Sequence, residues 1–102
     1  MNLKVLERIQ LLGVLPTESD FSTLKIVRSL QNDLSFSEEE IKETGLTLKD
    51  NQYRWKKEVE KDVQIGDKGN DIIKNSFKKL NEQKKVPMSM FNLYEKFIKD
   101  SE

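Results

Sequence analysis

Cysteine, histidine and alanine are all missing from this 102-residue chain. Without cysteine there are no disulfides and no thiolate nucleophile. Without histidine there is no imidazole acid–base chemistry, and zinc sites of the Cys/His type are excluded. Long hydrophobic runs are missing too. Nothing approaches the roughly 20 apolar residues of a membrane span. The longest apolar stretch, residues 11–15, follows Lys4, Glu7 and Arg8 and is too short and interrupted for a secretory core. The expected setting is cytoplasmic. A strong charge of one sign is also absent, since 18 basic and 18 acidic side chains cancel. The balance is uneven along the chain: residues 1–52 carry 6 basic and 9 acidic side chains, residues 53–102 carry 12 and 9. This asymmetry can orient a partner or a second copy, but it is not the basic field of a nucleic-acid binder.

What is present is 35% hydrophobic and 35% charged residues, with eight aromatics. The apolar residues are periodic, so the chain reads as one folded domain over 1–102 with a small core and a charged shell. A first helix is predicted over 2–12, capped by Asn2, with Val5, Leu6, Ile9 and Leu12 inward and with Gly13 and Pro16 ending it. A second runs from Asp20 to about Asn32 with Phe21, Leu24, Val27 and Leu30 as its stripe. In the third, Ser37-Glu38-Glu39-Glu40 is a capping box, Phe36 can staple onto Ile41, and Gly45 ends the helix.

From Leu46 the period shortens to two. Leu46 and Leu48, Tyr53 and Trp55, and Val63 and Ile65 alternate with polar residues, and Asp50-Asn51 is a turn pair. The expected sheet pairs 52–56 with 61–65. A long helix follows Gly66, capped by Asp67, with Ile72, Ile73, Phe77 and Leu80 inward. A last one starts at Pro87 with Met88, Phe91, Tyr94, Phe97 and Ile98 on its apolar side. The expected fold is α+β and mostly α, with about five helices and one small antiparallel β-hairpin between the third and fourth.

Three groupings invite chemical readings. Gly66-Asp67-Lys68-Gly69 resembles the GxxG loop of KH domains, which implies backbone approach to phosphates. Asp67 puts an acid where a phosphate would lie, and a strand precedes the loop, so a strand-to-helix turn is the preferred reading. The order of helices and hairpin resembles a winged helix, which implies a DNA-binding regulator with a basic wing at Arg54, Lys56 and Lys57. The helix in the reading position carries Glu38, Glu39, Glu40 and Glu43, which repel phosphate, so nucleic acid is disfavoured. Glu58, Glu60 and Asp62 alternate along a candidate strand, and Asp67 and Asp71 stand one helical turn apart. A solvated surface accounts for both. No catalytic, cofactor-binding or metal-ligating set is assigned, and the chain is not expected to be an enzyme.

The segments Leu6-Glu7-Arg8-Ile9, Leu15-Pro16, Thr23-Leu24-Lys25-Ile26, Phe36-Ser37-Glu38-Glu39-Glu40, Trp55, Val63-Gln64-Ile65-Gly66, Asp71-Ile72-Ile73, Leu80 and Leu93-Tyr94-Glu95-Lys96-Phe97 together resemble a group of small bacteriophage- and prophage-encoded proteins of unknown function. The resemblance spans nearly the full length. It implies a bacterial host cell and transfers no site residues. The expectation is an accessory protein acting through protein–protein contacts, in virion assembly or on a host factor, with the winged-helix regulator as the alternative. Tyr53, Arg54, Trp55, Lys56, Lys57, Met90 and Tyr94 are the expected interaction surface. The apolar excess of the last helix leaves room for self-association. If the Trp55 ring is fully buried, its removal should cost about 3–5 kcal/mol. A cost below about 1 kcal/mol would mark residues 53–57 as a binding surface.

Overall fold

The computed structural model describes residues 1–98. Strand β1 (Asn2–Leu3) leads into α1 (Val5–Val14), α2 (Phe21–Leu34) and α3 (Glu38–Thr44). Strands β2 (Thr47–Lys49), β3 (Gln52–Arg54) and β4 (Lys61–Asp62) follow, then α4 (Gly66–Glu82), a 3-10 turn at Met88–Met90 and α5 (Phe91–Ile98). The expected class holds: among the described residues there are five helices, with a small antiparallel hairpin between α3 and α4. Helix α4 packs on α1, α2 and α5. The core between them holds Leu11, Val27, Leu30, Leu34, Ile73, Phe77, Leu93 and Phe97.

The strand pairing differs from the one expected of residues 52–56 and 61–65. Instead β3 pairs with β2, Leu48 opposite Tyr53, while β4 pairs with β1. Asp50 and Asn51 have φ of +53° and +61°, the left-handed pair of a two-residue hairpin turn, and Asp and Asn tolerate that region best after glycine. So short a turn closes β2 onto β3 at little entropic cost. The Lys56 and Lys57 N–H groups both donate to Thr44 O, at 2.7 and 3.1 Å, which draws the chain off any longer ladder.

Helix starts follow local chemistry with two corrections. Asp20 accepts from the Thr23 N–H and hydroxyl at 3.0 and 2.7 Å, which holds its carboxyl below the usual range. Ser37 and Glu40 complete the capping box, both bonds 3.1 Å. Asn2, expected to cap α1, lies in β1. The Glu7 carboxylate takes the Lys4 N–H, and the Val5 N–H donates to Glu58 Oε1 at 2.9 Å, an N-terminal cap supplied from 53 residues away. Asp67, expected to cap α4, is inside its first turn, and no side chain caps that helix. The second glycine of the GxxG run has a packing reason: a Cβ on Gly69 would stand 2.9 Å from Leu30 Cδ2, so its bareness lets α4 approach α2.

The buried face of α1 is also rotated from expectation. Val5, Arg8 and Leu11 are buried, while Leu6 is exposed and Ile9 half-buried. Arg8, only 1% exposed, is the reason. Its Nε donates to Leu34 O at 3.1 Å, Nη2 to Ser35 O, and Nη1 to Glu40 Oε2 at 2.6 Å. The Phe36 ring lies 3.9 Å from the guanidinium carbon. One arginine thus locks α1 to the end of α2 and the start of α3.

Candidate interaction surface

The hairpin β2–β3 stands out from the body, with all six strand residues exposed. Leu48 is 60% and Tyr53 49% exposed. Being directly opposite in the ladder, they form a cross-strand apolar pair in water. Lys49 and Arg54 flank them, Ile41 of α3 is exposed nearby in sequence, and Lys57 reaches Glu43 at 3.4 Å.

Trp55 is half-buried, not a core residue. Its indole N–H donates to Glu58 Oε2 at 3.3 Å, and the other oxygen of that carboxylate caps α1. Trp55, Glu58 and the first N–H of α1 therefore form one relay that holds the hairpin's base against the bundle. The ring also lines two clefts. One, about 700 Å³, lies against Lys42, Thr47, Arg54 and Lys56. The other, about 410 Å³, runs between α1 and α5 past Leu6, Gln10, Asn92 and Lys96. In the second the polar side chains are largely engaged, Lys96 with Glu7 at 2.8 Å and Gln10 with Ser89 O at 3.1 Å.

Replacing Trp55 by alanine should therefore cost about 1–2 kcal/mol, from half a ring's burial and one hydrogen bond. Urea unfolding of the variant checks this. A loss near the ~3–5 kcal/mol of a fully buried aromatic would contradict the half-exposed placement.

The seven residues expected to share a surface fall into two places. Tyr53, Arg54, Trp55, Lys56 and Lys57 belong to the hairpin and its base. Met90 and Tyr94 are half-buried against the core, Tyr94 meeting Phe77 edge-on with centroids 5.5 Å apart, and they line other clefts. The exposed residues beside them are Met88, at 84%, and Phe91, at 55%. The 3-10 turn at Met88–Met90 explains the exchange: its three-residue period shifts which residues face inward when α5 begins.

The carboxylates do not gather. Glu58 serves α1 and Trp55, and Asp62 takes the Met1 amino group at 2.8 Å. Among the described residues no three acids converge where they could hold a metal ion, and no helix is long and apolar enough to cross a membrane. No family model, curated protein or solved structure matches the chain, so function has to be argued from the geometry.

Proposed function

We propose that this chain is a non-catalytic accessory protein of a phage or prophage, working in the bacterial cytoplasm by holding another protein during virion assembly or on a host factor. One observation carries the reading: a three-residue-per-strand hairpin displays Leu48 and Tyr53 side by side and buries neither. An apolar pair on so short a hairpin contributes little to folding, because two strands alone are marginal in water. It is the kind of exposed anchor that interfaces bury at their centre. The residue inventory supports the non-catalytic part, since neither imidazole nor thiol exists in the chain.

A DNA-binding regulator is the second reading, favoured by one feature: Lys42, Arg54 and Lys56 line the larger Trp55 cleft. Against it, Glu38, Glu39 and Glu43 are exposed along α3, where a duplex would have to approach.

The test compares the natural chain with Leu48→Ser/Tyr53→Ser as bait in extracts of phage-carrying bacteria. One dominant protein captured by the first and lost with the second supports the proposal. Equal capture by both, or none by either, overturns it. A gel shift on phage DNA that fades steeply with salt would transfer the hairpin to the regulator reading.

A further inference from the structure

Helix α4 ends on a left-handed residue that is not glycine: Lys84 has φ +56°. Its N–H donates to Asn81 O at 3.0 Å and the Lys85 N–H to Leu80 O at 2.9 Å, the paired closure that ends a helix on such a residue. The reversal brings Lys85 and Pro87 to a cleft of about 400 Å³ that Val14, Leu80 and Met90 also line. Pro87 lines a second cleft too, of about 390 Å³, together with Val86, Met88, Phe91 and Tyr94. The two clefts share that proline and form one apolar corner, with Met88 and Phe91 exposed on its outer side.

The charged residues that line this corner are of one sign. Among the described residues, Lys79 and Lys85 are the charged ones in its walls and no carboxylate lines either cleft. Neither lysine belongs to an ion pair among the described residues. Along residues 78–86 Glu82 is the single acid against Lys78, Lys79, Lys84 and Lys85.

We propose that this corner is a second docking surface, and that its occupant is an acidic segment of a partner protein carrying one or two large apolar side chains. The apolar side chains enter the clefts on either side of Pro87, and the carboxylates meet Lys79 and Lys85. Charge selects the occupant. A neutral or basic segment lying over the apolar walls would bring two ammonium groups into a drier setting without partners. Volumes near 400 Å³ hold a side chain or two, not a folded domain. The corner uses none of the hairpin residues, so it goes beyond the reading above and is tested apart from it.

The probe is a library of random peptides selected on the purified chain, with the best binder then synthesised. Enriched peptides should combine Asp or Glu with Leu, Phe or Trp. Binding should weaken about tenfold or more with Lys79→Glu/Lys85→Glu, and fall off with added salt. Met88→Ser/Phe91→Ser should weaken it comparably, whereas Leu48→Ser/Tyr53→Ser should leave it unchanged. Four results overturn the proposal: no peptide enriched, peptides without acidic bias, affinity indifferent to the corner substitutions, or light scattering showing that the corner pairs two copies of the chain. An oligonucleotide that displaces the peptide with the same lysine dependence would assign the corner to nucleic acid instead.

Discussion

Replacing Arg8 by methionine is expected to destabilise the fold by about 3–5 kcal/mol, the cost of breaking a buried ion pair from one side. Methionine fills much of the volume and fits the helix, so packing and propensity are nearly conserved. What it removes is a set of donors aimed at Leu34 O, Ser35 O and both oxygens of Glu40. Those acceptors then lie beside a side chain that offers nothing. Arg8→Lys keeps the charge, loses the planar fork, and should fall between the two. The double variant Arg8→Met/Glu40→Met leaves no orphaned charge, so it should lose less than the sum of the two single changes. Urea midpoints for the natural chain, the three single variants and the double variant give the comparison. An Arg8→Met chain within about 1 kcal/mol of the natural one would show that the network positions α3 without stabilising it.

The same network sets a pH dependence. Hydrogen bonds from Arg8 hold the Glu40 carboxyl down at about 2, against its ordinary 4.5, with the Ser37 N–H and the Lys61 charge adding to the effect. Its folded value lies below its unfolded one, so the stabilisation is complete above about 4.5 and is lost as pH falls toward 2. The gap corresponds to about 3 kcal/mol, and solvent screening on the open side of the carboxylate reduces the expected change to about 2 kcal/mol. Melting curves at successive pH values from 6 down to about 2 should show it. In Glu40→Gln that part of the slope should vanish. An unchanged slope would place the acid sensitivity elsewhere.

Much of the fold was legible because its signals are local. Ser37 with Glu40 and Asp20 with Thr23 satisfy backbone groups within three residues, and Asp50-Asn51 makes its turn from its own left-handed backbone. A reader of the sequence can see both ends of every such bond. What could not be read joins distant residues. Two-residue strands show no alternation, so the pairing of Asn2 with Asp62 leaves no periodic trace. The Glu58 cap on α1 reaches across 53 residues. Arg8 reads as a surface charge because its acceptors are two backbone carbonyls and a carboxylate from another helix, none of which a helical wheel contains. Of the interaction surface, the hairpin's exposure follows from its short strands. On the last helix the exposed apolar residues are Met88 and Phe91, with Met90 and Tyr94 half-buried, because a 3-10 entry into a helix does not announce itself in the pattern.

Phe77→Ala is the other large effect expected, about 3–5 kcal/mol for an aromatic side chain with no exposed surface. The ring sits between Tyr94, edge-on at 5.5 Å, and Phe97, tilted at 6.0 Å. It therefore ties α4 to two residues of α5. Over the described residues that helix has 8, Phe91–Ile98, and isolated helices below roughly 12–15 residues are marginal in water. Its stability comes from docking. Alanine at position 77 leaves a cavity under α5, and the helix should loosen before the rest of the bundle unfolds. Amide exchange checks the order of events: protection in α5 should collapse while α2 and the first half of α4 retain most of theirs. Because α5 carries Phe91 and is entered from Met88, the acidic peptides selected on the natural chain should bind this variant more weakly, although Phe77 lines neither cleft. A chain that loses the predicted stability with α5 still protected would mean that α5 is held from α1 and β1, through Lys96 on Glu7 and on the Asn2 carbonyl, and that the corner is independent of the core beneath it.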